Sequence, residues 1–375
     1  MRRFFIRLYI FTAVLHLLWG VALALVLDLP PIVAALLALG LGAAFHGRLE
    51  ILKWDRPLPP WRRFVEEAYW AHWCGLGLAA PLTLATAPGL ALATAHLDAL
   101  ATPRLWLEAL LLADALGLGL ALYGVGLRRR WLRIRRIPIA IEGLPPSFAG
   151  YRIVQLSDVH LGSLCPRERV ARWVAEANAL EADLVVLTGD YVTSGIRFHE
   201  DIAGALGALR AKDGVYAVMG NHDYFGDGEP LMGLMQRAGV RWLRNEHVEL
   251  ARGEARLCLA GVDDIYTGRI DIPAALEGRD EDLPLLVLAH DPRSFRELAR
   301  RGASLVLSGH THWGQVALPW FASRVNYNAT FLRYHAGHYR LGEAQLYVHP
   351  GLGTTGPPLR IGTWPEIAVL ELREG

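Results

Sequence analysis

Hydrophobic positions follow two different patterns along this chain. The first third contains four long apolar runs, at residues 8–27, 32–45, 73–95 and 105–127. A bilayer core takes about 20 apolar residues per helix, so three runs are long enough to span it and the second is marginal. From residue 137 onward, short apolar runs alternate with stretches of helical period. The pattern predicts an anchor of about four transmembrane helices over residues 1–136, followed by a soluble α/β domain over residues 137–375.

The distribution of charge changes at the same place and predicts an orientation. Residues 1–136 carry 15 Lys and Arg against 8 Asp and Glu, whereas residues 137–375 carry 23 against 29. The basic residues cluster in three places: Arg2, Arg3 and Arg7 before the first run, five residues from Arg48 to Arg63, and six from Arg128 to Arg136. Because basic loops stay cytoplasmic, we predict a multi-pass protein of the cell membrane with a cytoplasmic catalytic domain. The alternative is that the first arginines belong to a twin-arginine export signal.

Composition excludes several classes of function. An acidic soluble domain argues against a nucleic-acid partner, which requires a basic patch. The three cysteines, Cys74, Cys165 and Cys258, are scattered and form no CxxC pair. The sequence therefore predicts neither a disulfide framework nor a zinc site made of thiolates.

Polar residues follow most of the short apolar runs of the second part. These runs are typical of buried strands alternating with helices, and sites in such folds form at the carboxyl ends of the strands. The residues at these ends are Asp158, His160, Asp190, Asn221, His222, Asp223, Asp263, Asp264, His290, Asp291, His310 and His312. In an extended chain, residues i and i+2 point the same way, which would pair Asp158 with His160 and His310 with His312.

Carboxylate and imidazole side chains suit manganese, zinc or iron, and mixed ligands of this kind do not choose among them. The runs contain no serine or cysteine beside a clear base. We therefore predict a metal centre that acts without a nucleophile from the protein.

The order of these motifs resembles that of the calcineurin-like metallophosphoesterase superfamily. The motifs are D-x-H, GD, GNH[DE], H and GHxH, and the resemblance covers residues 151–372. The tail GLGTTGPPLRIGTWPEIAVLEL is similar to the end of a membrane-associated bacterial branch. The resemblance implies a four-layer α/β/β/α sandwich that holds two divalent metal ions. It assigns one metal to Asp158, His160, Asp190 and His312, and the other to Asp190, Asn221, His290 and His310, with Asp190 bridging them.

The resemblance also implies a reaction. A hydroxide bridging the metals would attack a phosphodiester or pyrophosphate in line. His222 matches the residue that stabilises the transition state or protonates the leaving oxygen. Asp223 is a second catalytic candidate that could orient His222, and the alternative for Asp223 is a turn or capping role.

Four positions depart from patterns within the superfamily. Protein phosphatases of this group continue the GD motif with an Asp and an Arg where Thr193 and Ser194 stand here, so that activity is not expected. Trp313 replaces a glycine beside the ligands, and Pro350 replaces an arginine before GLG. Arg360 is either a phosphate contact or part of a surface salt bridge.

An aromatic-rich stretch after His312 bears on the substrate. It contains Trp313, Trp320, Phe321, Tyr327, Phe331, Tyr334 and Tyr339. Such residues favour a membrane interface, which suggests a lipid-linked or nucleotide substrate such as UDP-diacylglucosamine; alternatively they cover the sheet. The alternative function is a membrane sensor or transporter-like protein with a metal-binding regulatory domain.

Overall fold

The computed structural model describes residues 2–53, 57–95, 101–322 and 324–375. Four long helices come first: α1 (Arg2–Leu27), α2 (Pro31–Lys53), α3 (Pro60–Thr94) and α4 (Ala101–Leu122). All four are long and apolar enough to cross a membrane by length and composition, including α2, which contains the marginal run. This confirms the predicted number of helices. Arg56, one of the basic loop residues used for orientation, lies outside the described residues.

Small residues let helices α3 and α4 approach closely. A Cβ on Gly117 would lie 2.4 Å from the carbonyl oxygen of Gly75, and a Cβ on Gly75 would lie 3.0 Å from Cα of Leu118. The hydrophobic driving force is weak between helices in lipid, and the close packing that glycines permit stabilises the helix pair instead. On the cytoplasmic side of the predicted topology, Arg48 of α2 pairs with the buried Glu66 of α3 at 3.1 Å.

The second part of the chain forms two six-stranded sheets. The strands are β1 (Arg133–Ile141), β2 (Arg152–Leu156), β3 (Leu184–Thr188), β4 (Val215–Val218), β5 (Val240–Trp242), β6 (Glu246–Arg252), β7 (Ala255–Gly261), β8 (Leu285–Leu288), β9 (Ala303–Ser308), β10 (Gly337–Leu341), β11 (Ala344–Val348) and β12 (Glu366–Glu374). The first sheet has the order β1-β12-β2-β3-β4-β5, and the second has the order β10-β11-β9-β8-β7-β6. Strands β2 to β5 are parallel, as are β7, β8, β9 and β11.

Five helices cover the outer faces of the sheets. They are α5 (Arg167–Asn178), α6 (His199–Leu206), α7 (Glu229–Arg237), α8 (Ile272–Leu276) and α9 (Phe295–Arg300). Strand β3 shows why the strands are apolar throughout: Leu184 and Val186 pack between the sheets, whereas Val185 and Leu187 pack under α5, α6 and α7. Helices α8 and α9 pack on the second sheet. Both faces of the central strands are therefore buried, and the four-layer α/β/β/α sandwich is confirmed.

Internal contacts divide the chain into one compact unit built on the four long helices and another built on the two sheets. Strand β1 begins at Arg133, before the predicted boundary at residue 137. The last basic cluster, from Arg128 to Arg136, therefore lies partly in a strand, because residues 133–136 pair with the first residues of β12. The division at residue 136 itself stays a prediction.

Candidate metal centre

The carboxyl ends of β2, β3, β4, β8 and β9 place all the predicted ligands at one edge of the two sheets. Several of the predicted ligands have left-handed backbone conformations in the turns after these strands, namely Asp158, His160, Asp190, His310 and His312. A side chain with a positive φ is uncommon, and clusters of such residues are typical of functional sites. The extended-strand argument for His310 and His312 was therefore wrong, because the turn directs these two imidazoles into different groups.

The first group consists of Asp158, His160 and His312, all of them buried. Nε2 of His312 lies 3.1 Å from Nε2 of His160 and 3.4 Å from Oδ1 of Asp158. The backbone N–H of His310 donates to the Asp158 carboxylate at 2.9 Å, which joins the end of β2 to the end of β9. The two sheets are thus held together at the point where this group forms.

The second group consists of Asp190, His290 and His310. Oδ2 of Asp190 lies 3.2 Å from Nε2 of His290, which lies 3.2 Å from Nδ1 of His310. The ring of His290 is oriented from behind, because its Nδ1 donates to the Thr188 carbonyl at 2.7 Å. Such a bond fixes the tautomer and leaves Nε2 as the atom able to coordinate a cation.

Asp190 belongs to both halves of the site. Its Oδ2 also lies 3.5 Å from Nε2 of His160, a member of the first group. Beside it, Oδ1 of the buried Asn221 has no hydrogen-bond partner among the residues that the structure describes. A buried acceptor without a partner is costly, and a cation would satisfy it. The donor set therefore fits two divalent metal ions with Asp190 between them, the arrangement that the resemblance implies.

Burial and mutual attraction determine the protonation states of these groups. Burial lowers the pKa of His160 to about 3 and holds the pKa of His312 well below its usual value, so both imidazoles are neutral and able to bind a metal. Burial raises the pKa of Asp158 to about 7. Burial also opposes ionisation of the pair formed by Asp190 and His290, but their attraction outweighs it, lowering the pKa of the carboxyl and raising that of the imidazole.

Two glycines of the motifs are required by close approach. A Cβ on Gly220 would lie 2.2 Å from Oδ1 of Asp190, and one on Gly309 would lie 2.2 Å from Oδ2 of Asp158. Contacts this short cannot be relieved without moving a candidate ligand. These positions therefore exclude every side chain, which explains the glycines that precede Asn221 and His310.

His222 and Asp223 lie beside the two groups, and their side chains have different hydrogen-bond partners. Nδ1 of His222 donates to the Thr193 carbonyl at 2.7 Å, and its ring meets the edge of His160 with centroids 4.7 Å apart. The Asp223 carboxylate instead accepts the backbone N–H groups of Asp190 and Tyr191, at 2.9 and 2.7 Å. No hydrogen bond joins the Asp223 carboxylate to the His222 ring within the described part of the chain, so Asp223 holds the turn that presents Asp190.

Asp291 is a residue whose function the sequence reasoning missed. Its buried carboxylate lies 3.5 Å from Nε2 of His310 and accepts from Nε of Arg293 at 2.8 Å. Asp291 thus orients His310 so that Nδ1 faces His290. The signal was present, because the apolar run is followed by His290 and, directly after it, by a second polar residue.

Arg360 was expected to contact phosphate or to form a surface salt bridge, and both expectations were wrong. The side chain is completely buried. Its Nη2 donates to the carbonyls of Pro350, Gly351 and Gly353, at 2.8, 3.0 and 2.6 Å. A Cβ on Gly351 would lie 2.9 Å from Cβ of Asp158, so the segment that Arg360 holds passes directly beside the first group.

Trp313 is buried close behind the ligands. Its Nε1 donates to the Val348 carbonyl at 2.8 Å, and its ring packs with Ala317, Ala322 and Ala336. The backbone here has a positive φ of 50°, which is the conformation that a glycine would adopt most easily. Trp313 therefore adopts a backbone conformation that costs more free energy than it would for glycine. Its indole ring packs against the segment that follows His312.

Comparisons with known proteins agree with this geometry. A family profile described as calcineurin-like phosphoesterase matches residues 151–314. The chain is 36% identical over 270 residues to a Danio rerio protein named transmembrane protein with metallophosphoesterase domain, covering 68% of this chain and 60% of that protein. It is 32% identical over 236 residues to YkuE, an uncharacterized metallophosphoesterase of Bacillus subtilis, covering 61% of this chain and 82% of that protein.

A solved structure also matches, at low similarity. It is the phosphopantetheinyl hydrolase of Mycobacterium tuberculosis, with 13% identity and a TM-score of 0.34, covering 56% of this chain and 91% of that one. The chain spans less than two thirds of the Danio rerio relative and of its Bos taurus counterpart, of which it covers 57%. Four fifths of YkuE is covered, and the resemblance seen in the motifs is confirmed. The chain belongs to the calcineurin-like metallophosphoesterase family.

Proposed function

We propose that this protein is a membrane-anchored phosphohydrolase with two metal ions, acting on a phosphodiester or a pyrophosphate. The observation that carries the proposal is the position of Asp190, a buried carboxylate between two sets of imidazoles. Its Oδ1 accepts the backbone N–H of His222, and the preceding residue, Asn221, has a buried side-chain oxygen without a hydrogen-bond partner among the described residues. The family uses pairs of divalent metal ions, which agrees with this donor set. The sequence and geometry leave the choice among manganese, zinc and iron open.

The side chains would divide the work as follows. Asp158, His160 and His312 would hold one metal, and Asn221, His290 and His310 the other. Asp190 would bind both. When bound, the two cations would supply Lewis acidity toward the phosphoryl oxygens and lower the pKa of a water between them.

His222 would act on the substrate rather than on a metal. Its Nδ1–H donates to the Thr193 carbonyl, which fixes the ring and leaves Nε2 as the nitrogen that would face a bound phosphoryl group. As an imidazolium, with Nε2 also protonated, the ring would donate the Nε2 proton to the leaving oxygen or hydrogen-bond a developing negative charge. Asp223 contributes indirectly, by holding the backbone of Asp190 and Tyr191.

The substrate class rests on what surrounds the site. Thr193 and Ser194 stand where protein phosphatases of the superfamily carry an Asp and an Arg. Arg360 donates to backbone carbonyls, so it does not serve as a phosphate ligand. The four apolar helices favour a substrate that is itself in the membrane, such as a lipid-linked or nucleotide pyrophosphate of the UDP-diacylglucosamine type.

The test uses the full-length protein in detergent, stripped of metal and then supplied with manganese, zinc or iron. We expect metal-dependent hydrolysis of bis-p-nitrophenyl phosphate in preference to p-nitrophenyl phosphate, lost in Asp190→Asn and His222→Ala. The matched control is His247→Ala. His247 is half-buried like His222, and its Nδ1 also lies at hydrogen-bond distance, 3.1 Å, from a backbone carbonyl, that of Ala275. A preference for the monoester would overturn the substrate class. Binding of two metals without turnover would favour the sensor or transporter-like alternative.

A further inference from the structure

The segment that follows the candidate ligands exposes large apolar side chains. We call residues 318–322 and 324–331 the aromatic loop. Its exposed large apolar side chains are Leu318, Trp320, Phe321, Val325, Tyr327 and Phe331. Trp320 is 93% exposed and Phe331 is 71% exposed. Several large apolar side chains exposed on one short segment point to an interaction site.

The aromatic residues of this region divide into two sets. Tyr334 and Tyr339 pack against the core outside the second sheet, as expected if they cover it. Trp320 and Phe331 do not, so coverage of the sheet explains only part of the aromatic stretch. The loop itself has two sides, because Ala322 packs inward against Trp313 while the large rings point outward.

The outward position of these rings is built by hydrogen bonds. Asn326 accepts the backbone N–H groups of Asn328 and Ala329, and its Nδ2 donates to the Ala322 carbonyl at 2.8 Å. The backbone N–H of Leu318 donates to the Val325 carbonyl at 2.9 Å, closing the loop on itself. The rings are therefore held at the surface by a defined turn.

The loop is also joined to the candidate site. Nδ2 of Asn328 donates to the Thr311 carbonyl at 2.6 Å, and Thr311 stands between His310 and His312. The hydroxyl of Thr311 donates to the His335 carbonyl, just beyond the loop. The aromatic loop is therefore hydrogen-bonded to the segment that contains two candidate ligands, His310 and His312.

We propose that the aromatic loop docks on the surface of the lipid bilayer. Tyrosine and tryptophan suit the boundary between headgroups and acyl chains, since each has an apolar ring and a polar atom. Residues 298–342 contain no Asp or Glu, and the loop carries Arg324 with Arg333 next to it, so its charge complements anionic lipid. The four apolar helices bring a bilayer to the same molecule.

A second copy of the chain is the competing occupant. Two such loops facing each other would bring Arg324 and Arg333 against their own copies without an acidic partner from the segment 298–342. Lipid removes this repulsion, which is why we choose the bilayer. The inference goes beyond the proposed function, because lipid contact can be measured whether or not the site hydrolyses anything.

The experiment places an environment-sensitive fluorophore on the loop of the full-length protein. All three native cysteines are buried, so Trp320→Cys and, separately, Phe331→Cys can be labelled selectively. The control is Glu343→Cys, at the exposed turn between β10 and β11. The variants are reconstituted in nanodiscs with phosphatidylglycerol and with lipids that carry a quencher on the acyl chain.

We expect quenching and a blue shift at positions 320 and 331, and neither at 343. Exchange of the anionic lipid for phosphatidylcholine should weaken the quenching at 320. Unquenched fluorescence at both loop positions would overturn the proposal. Energy transfer between labelled copies, without quenching by lipid, would overturn it in favour of a contact between two chains.

Discussion

Oδ2 of Asp190 lies 3.2 Å from Nε2 of His290, and both groups are buried at the edge where the two sheets meet. The same carboxylate oxygen lies 3.5 Å from His160, on the first-sheet side. A single buried carboxylate thus faces imidazoles from two separate groups. This relationship underlies the proposed function, and the predictions below test it and the parts of the fold that support it.

Asp291→Asn should weaken metal binding without unfolding the protein. The amide keeps an oxygen for the backbone N–H of Arg293 but loses the charge that lies 3.5 Å from Nε2 of His310. Residues that orient metal-binding histidines typically contribute about 10–100-fold in affinity. In a metal titration, we expect the affinity to fall by that factor for the metal assigned to Asn221, His290 and His310. Asp201→Asn, which changes a carboxylate on α6, should leave the titration unchanged; equal affinities in Asp291→Asn and the parent would contradict the assigned role.

Gly220→Ala should damage the site by geometry alone. The new Cβ would lie 2.2 Å from Oδ1 of Asp190, and displacing a buried group by overpacking costs about 1–3 kcal/mol. We expect loss of hydrolysis and a lower melting temperature. The matched control is Gly233→Ala in α7, where the nearest atom is a flexible Arg237 nitrogen 3.4 Å away, and this change should be neutral or stabilising. An active Gly220→Ala protein would show that Asp190 is not fixed as described.

Arg360→Lys should lower both stability and metal affinity. An ammonium group cannot reach the carbonyls of Pro350, Gly351 and Gly353 together, so buried acceptors lose their donors at a cost of about 1–3 kcal/mol each. The released segment lies against Asp158. Denaturant unfolding and metal titration measure the two effects. Arg373→Lys, at the exposed end of β12, should change neither. A stable Arg360→Lys protein with unchanged affinity would contradict the account.

Asp183 lies at the opposite end of β3 from the candidate site and should make the stability of the fold depend on pH. Burial alone would raise its pKa, but the Arg152 N–H at 2.8 Å, Lys212 at 2.9 Å and Arg252 at 2.6 Å lower it below its usual value. A carboxyl with a lowered pKa stabilises the fold fully above the unfolded pKa, near 4, and this contribution is lost as the pH falls through the folded pKa.

Asp183→Asn should therefore cost about 1–3 kcal/mol at pH 7, and the difference from the parent should shrink below pH 4. Unfolding by denaturant at several pH values measures this. Asp280→Asn, in an exposed turn, serves as the control. A difference that stays constant from pH 7 to pH 3 would contradict the ionised network.

The basic loops predict a cytoplasmic catalytic domain, and labelling tests this prediction. In Glu343→Cys, a membrane-impermeant thiol reagent should react only after the cells are permeabilised, since the native cysteines are buried. Labelling of residue 343 in intact cells would support the twin-arginine export alternative instead. A cytoplasmic protein of known reactivity in the same cells controls for leakage.

Much of the candidate site could be predicted from sequence because its residues follow directly after apolar strands. Asp158, Asp190 and His290 are each two positions beyond a buried strand, and parallel strands bring such ends together. The four-layer arrangement came from the family resemblance, since an apolar strand does not show which sheet it joins. Four apolar helices were evident from length and composition alone.

The sequence could not predict interactions that depend on distant chain segments. Arg360 appeared to be a surface residue because its partners, the carbonyls of residues 350–353, have no side-chain signature. Asp223 appeared to belong with His222 because they are adjacent, yet its carboxylate reaches the turn after β3. The directions of His310 and His312 depended on positive backbone angles, which ordinary strand periodicity does not include.

The central claim is that two metal ions on Asp190 and its neighbours are needed for hydrolysis. The most direct measurement is the rate of bis-p-nitrophenyl phosphate hydrolysis by the metal-free, full-length protein as manganese is added in known molar equivalents, with bound metal counted in parallel. The account predicts that activity rises until two metals are bound per chain, and that Asp190→Asn stays inactive throughout. Full activity with one bound metal, or hydrolysis independent of metal, would contradict it.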